Sequence, residues 1–189
     1  MTRSNQVQKY LLLAGLIILA TLGRLFTNYI HLWNFAPIGA IGLFGGFQMK
    51  NKRQAYVLLL AVLLSSDLCL ALFTPIKGFY GWSQLLNYAA FLLIVYIGTR
   101  IHRINTRNVV LASLGASILF FTLSNFGVWL FAGGVAPYTP NPQGLLNTYL
   151  LAIPFLGNTI AGDLFFCTLL FGSWALVRHL LAKKTPVAS

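Results

Sequence analysis

The chain has 189 residues, of which 58% are hydrophobic and 8% charged, and its 13 Lys and Arg face only 2 Asp and Glu. A soluble domain carries about 25% charged residues, and a chain this short cannot hide so much apolar surface in a water-facing fold. The composition excludes a soluble globular protein and makes lipid the solvent. At about 20 apolar residues per span, one transmembrane domain over 1–189 holds six or seven helices.

The formal charge of +11 would suggest nucleic acid in a soluble protein. In a membrane chain, basic residues sit in short loops and set orientation, so no nucleic-acid partner is expected. Cys69 and Cys167 lie inside apolar runs and form no CxxC pair.

In chain order, the first apolar segment runs from Tyr10 to about Asn28. It is long and no A-x-A-like site follows it, so it reads as a span, not a cleaved signal. An aromatic loop, Tyr29 to Ala36, leads to a Gly-rich second segment from Pro37 to Met49, opened by a proline suited to a helix start. The third runs from Gln54 to Phe73, the fourth from Ser83 to Thr99, and the fifth from Asn108 to Phe131. A Gly-, Pro- and Asn-rich loop, Ala132 to Gly144, precedes a last apolar region from Leu145 to Leu181. That region is too long for one span. Pro154 to Gly157 reads as a break, with a short interfacial or re-entrant helix before it and a sixth span from about Thr159.

The second segment, about 20 Å as a helix, is short against a 30 Å core, and charge decides whether it crosses. Arg3, Lys9, Lys50, Lys52, Arg53, Arg100, Arg103, Arg107, Arg178, Lys183 and Lys184 share one side only if it does, leaving Arg24 and Lys77 towards the other. The positive-inside rule then gives six transmembrane helices, with cytoplasmic tails at 1–8 and 183–189. The expected location is a bacterial cytoplasmic (inner) membrane.

Only two acids exist, Asp67 and Asp163, and both fall inside apolar segments. A charge in the membrane is costly unless paired or watered, so such residues are functional candidates. The competing explanation is an ion pair with Arg24 that locks helices together. Depth favours function. On the six-span topology Arg24, Asp67, Asn125 and Asp163 all lie in outer halves, with Asn34 before the second span and Ser83, Gln84 and Asn87 opening the fourth. A lock needs two such groups, whereas a polar pocket open to the outside uses them all. Asn158 after Gly157 is placed to cap the sixth helix and to aim its positive end into that pocket. Gly39, Gly42 and Gly46 form a stripe read as helix packing, as are Gly115 and Ser117. His31 reads as an interfacial loop residue, and Cys69 as a packing thiol in preference to a soft metal ligand. No zinc spacing, Walker motif, nucleophile elbow or catalytic triad is present, so neither a cofactor nor a catalytic residue is expected.

Several strings recur in order. Asn34-Phe-Ala-Pro-Ile-Gly-Ala-Ile-Gly-Leu-Phe-Gly-Gly46, Ser65-Ser-Asp67-Leu, Ser124-Asn-Phe-Gly-Val-Trp129, and Ile153-Pro-Phe-Leu-Gly-Asn158 with Gly162-Asp163-Leu resemble the signatures of an uncharacterised bacterial integral-membrane family. That family is similar to the substrate-binding (S) components of energy-coupling-factor (ECF) transporters. The resemblance covers about Arg24 to Phe171. It implies an all-α bundle of six transmembrane helices with an outward-facing pocket for a vitamin or similar small nutrient. It also implies a coupling membrane subunit and ABC ATPases as partners in transport. One departure is that Ala14 and Ala20 do not form the Ala-x-x-x-Ala pattern frequent in the first helix of S components.

The expected binding residues are Arg24, Asp67 and Asp163 for charge, Asn34, Asn125 and Asn158 for neutral hydrogen bonds, and Trp129 with Trp33 and Trp82 as flat walls. Two acids and one arginine suit a zwitterion, a cation or a neutral heterocycle. The alternatives are a membrane enzyme on a lipid-linked substrate, with Asp67 and Asp163 as acid and base, or a non-catalytic membrane assembly subunit.

Overall fold

The computed structural model describes the backbone of residues 3–183, with side chains from 13 to 180 and at Ala182. Six helices follow in order: α1 (Arg3–Tyr29), α2 (Ile38–Gln48), α3 (Lys52–Phe73), α4 (Ser83–Thr99), α5 (Thr106–Phe131) and α6 (Pro142–Lys183). No strand occurs among the described residues. The expected tail at 1–8 is helical from Arg3 onward, and residues 184–189 lie outside the described residues. Side-chain caps fix two of the starts. Asn51 accepts from the Arg53 amide (3.1 Å) and Asn105 from the Asn108 amide (2.7 Å), each satisfying a free N–H of the first turn.

Contacts between helices set their directions. Thr21 meets Ser65 and Arg24 meets Ser66, so α1 and α3 run the same way. Gly42 meets Ile94 and Gly46 meets Val95, and Gly39 meets Asp163 while Phe47 meets Trp174, so α2, α4 and α6 run together. Tyr149 donates to Thr122 O (2.9 Å), while Ser117 reaches Asp163 further along, so α5 and α6 are antiparallel. Gly42 also meets Leu59 and Gly45 meets Ala55, so α2 and α3 are antiparallel, and successive helices therefore alternate in direction.

The short α2 lies at the centre. Every residue but Phe44, Phe47 and Gln48 is buried, and it packs on α3, α4, α5 and α6. Its glycines permit this. A Cβ on Gly46 would fall on Val95 O, and one on Gly98 would fall on Leu43 O, so the α2 and α4 backbones touch directly. Apolar clusters surround it, one around Leu59 and Val62 and one around Leu43, Ile94 and Phe171.

The last helix corrects an expectation. Residues 142–183 form one helix with Pro154 inside it, and there is no separate re-entrant helix before a sixth span. Proline removes its own N–H from the ladder and crowds the preceding turn. A break would free several more backbone groups where no water can take them, so a helix in an apolar setting continues through the proline.

Among the described residues, three helices are long and apolar enough to cross a membrane, Lys52–Phe73, Thr106–Phe131 and Pro142–Leu180; Leu13–Tyr29, Ile38–Gln48 and Ser83–Thr99 are shorter apolar helices. The outward surface is apolar, with Leu22, Leu72 and Leu176 each more than half exposed, as suits lipid contact. Basic residues gather at one end of the bundle, in the α2–α3 and α4–α5 connections and near the end of α6. There the Arg100 and Arg178 guanidinium groups lie 4.8 Å from the Tyr96 and Trp174 ring centroids.

Candidate functional site

At the opposite end, α1 and α3 finish and α2 and α4 begin, and the polar residues meet there. Asp67, 1% exposed on α3, accepts hydrogen bonds from Arg24 Nη1 of α1 and from Gln84 Nε2 (2.7 Å) and Tyr88 Oη (2.6 Å) of α4. Arg24 Nη1 also donates to Ser66 Oγ (2.7 Å). Gln84 extends the network by donating to Gly78 O (3.2 Å) and accepting from the Tyr80 amide (3.3 Å). A Cβ on Gly78 would fall on the Asp67 carbonyl, so this glycine lets the α3–α4 connection fold onto the end of α3. Asp67 is thus a fully engaged, charge-paired node that ties α1, α3 and α4 together.

Asp163 differs. It is 4% exposed on α6 and accepts one hydrogen bond, from Ser117 Oγ of α5 (2.7 Å). No cation pairs with it among the described residues. A Cβ on Gly39 would fall on its carboxylate, so the missing side chain makes room for the acid beside α2.

Both acids line one cavity of about 160 Å³, together with Arg24, Thr27, Asn28, Trp33, Asn34, Gly39, Tyr80, Asn87, Tyr88, Phe91, Phe120 and Thr159. Its apolar floor includes Ile38 and Ile94, both part of the buried core. An adjoining cavity of about 180 Å³ shares Asn34, Asn87, Phe120 and Thr159 and adds Asn125, Phe121 and Phe155. Tyr80, in the connection, takes a hydrogen bond from Asn87 Nδ2, and burial raises its hydroxyl above the usual tyrosine value, which keeps it protonated.

The α1–α2 connection forms one wall. It closes on itself through Leu32 N to Thr27 O (2.8 Å) and is held to α6 by Asn158 Nδ2 donating to Trp33 O (3.0 Å). Gly162 lets its backbone approach α6 closely. Asn34 has φ 66°, a left-handed conformation that asparagine tolerates better than most residues. Irregular backbone among apolar helices is sustained where it is buried in protein or lines a cavity.

Of the expected residues, Arg24, Asn34, Asp67, Asp163 and Trp33 line the first cavity and Asn125 the second. Trp129 and Asn158 line neither. Trp129 Nε1 donates to Thr139 O (2.9 Å) and pins the α5–α6 connection. Asn158 is no helix cap, because α6 is continuous there, so no helix N-terminus points into the cavity at that position. Trp82 is 70% exposed. Asn28, Tyr80 and Tyr88 belong to the site though the sequence did not single them out, and Gly39 and Ser117, read there as packing residues, frame Asp163. No three His, Cys, Asp or Glu side chains come together among the described residues.

The fold and cavity define a helical membrane-type bundle with a polar site set between its helices. By sequence the chain belongs to the family described as "Family of unknown function (DUF6580)", whose model matches residues 4–186. No curated protein and no solved structure matches it.

Proposed function

We propose that this protein is the membrane-embedded substrate-binding component of an ECF-type uptake transporter, taking a vitamin or similar small nutrient from the outer face of a bacterial cytoplasmic membrane. One observation carries the reading. Both acids of the chain and Arg24 of α1 converge on a single cavity, at the end of the bundle away from the clustered basic residues. Alternating helix directions support six crossings, and the positive-inside rule then puts the cavity outside and the termini in the cytoplasm. A cavity confined to one end fits capture and release better than a proton relay or channel, which needs polar groups through the full depth. Energy would come from a coupling membrane subunit and ABC ATPases, and the resemblance in sequence supports that assignment.

Sidedness tests this. Tyr80→Cys at the cavity rim and Arg103→Cys at the basic end are introduced separately, with Cys69 and Cys167 replaced by serine. A membrane-impermeant maleimide on intact cells should label the first and reach the second only after permeabilisation. The reverse pattern would overturn the outward-facing pocket.

A further inference from the structure

We propose that the ligand is an organic cation whose charged head bears N–H groups, as in a protonated amine, an amidinium or a guanidinium, and that this head sits on Asp163. The assignment rests on the binding reading above and adds the ligand's charge and hydrogen-bonding character.

Charge is the first ground. Arg24 and Asp67 neutralise each other, which leaves Asp163 as the uncompensated charge on the cavity wall. A carboxylate this buried is costly without a counter-charge, and its one neutral partner, Ser117, is no such charge.

The second ground is the pattern of unused hydrogen-bonding groups. Several donors around the cavity are already engaged within the protein. Thr27 Oγ1 (3.2 Å) and Asn28 Nδ2 (2.7 Å) donate to Arg24 O, Tyr88 Oη donates to Asp67, and Thr159 Oγ1 donates to Phe155 O (2.9 Å). Acceptors are left over. Asn87 Oδ1 is buried without a partner where the two cavities adjoin. Asn28 Oδ1 accepts no hydrogen bond among the described residues while its nitrogen donates to Arg24 O, and Asp163 has capacity beyond the single Ser117 bond. Donors remain as well, on Arg24, Asn34, Trp33 Nε1, the second amide protons of Asn28 and Asn87, and the Tyr80 hydroxyl, and these serve acceptors on the ligand body. A buried acceptor without a partner is costly, so a ligand that brings N–H groups relieves Asn87 Oδ1 and the unpaired Asp163 carboxylate.

The third ground is the wall. Phe91 and Phe120, with ring centroids 4.8 Å apart, line the cavity beside Tyr88. Aromatic faces attract a desolvated cation and accommodate a flat body.

The test uses full-length protein in nanodiscs and three probes of one shape: benzamidinium, benzamide and benzoate. Thermal unfolding should rise with benzamidinium and stay unchanged with the neutral and anionic probes. Asp163→Asn should weaken benzamidinium binding at least about thirtyfold, the low end for losing one partner of a buried charge pair. Equal stabilisation by benzamide or benzoate, or undiminished binding by the variant, would overturn the proposal. If the variant does not fold, the charge series on the unmodified protein decides alone. Silence from all three probes also counts against it. A neutral or anionic molecule released from natively purified protein would then leave the binding reading standing, and no released molecule would remove both.

Discussion

Arg24 and Asp67 form an ion pair between α1 and α3, and the same guanidinium nitrogen also holds Ser66. Among the described residues, the chain's other acid, Asp163, receives only a hydroxyl. This asymmetry separates the two acids: Asp67 is paired within the protein, while no cation pairs with Asp163 among the described residues.

Removing one partner of a buried pair strands the other charge. Arg24→Met should therefore destabilise the protein by about 3 kcal/mol, at the low end of the range for such pairs because Arg24 is partly exposed. Adding Asp67→Asn to it should restore much of the loss. Thermal or denaturant unfolding in detergent measures this cycle, and a double variant as unstable as the sum of the singles would show that the pair is not coupled.

Asp163→Asn should leave stability within about 1 kcal/mol, because it removes an unpaired charge while Ser117 can still donate to the amide oxygen. Asp67→Asn loses a paired charge and should cost clearly more. Equal losses of folded protein in the two variants would return both acids to the role of helix locks.

Gly157 lies inside α6, and a Cβ there meets nothing within 4 Å. Gly157→Ala should gain up to about 1 kcal/mol from helix propensity. A marked loss would indicate that the chain breaks at that point after all. Gly46→Ala is the opposite case. Its Cβ collides with backbone, and overpacking of this kind costs about 1–3 kcal/mol or more.

Much of the helical framework was legible because apolar runs and their polar punctuation dictate it. α4 begins and ends at Ser83 and Thr99, as read from the sequence, and α2 follows Pro37 as expected. The Pro154–Gly157 break failed because those residues stop helices in water, while an apolar environment penalises every backbone group that a stop would expose. The acids were legible through their rarity in apolar segments. Depth along the helices was legible too, but which way a residue faces was not. Trp129 and Asn158 sit near the right level and bond to connecting loops instead. Ser117 and Gly39 looked like packing residues, since their partner Asp163 lies far along the chain and only the helix register brings the three together.

We propose that the cavity shared by Asp67 and Asp163 holds a small molecule. Native mass spectrometry of protein extracted gently from its own membranes tests it most directly. A stoichiometric small-molecule adduct is expected, lost in Asp163→Asn, with a mass that names the cargo. A protein that flies bare or carries only lipids, wild type and variant alike, would contradict it.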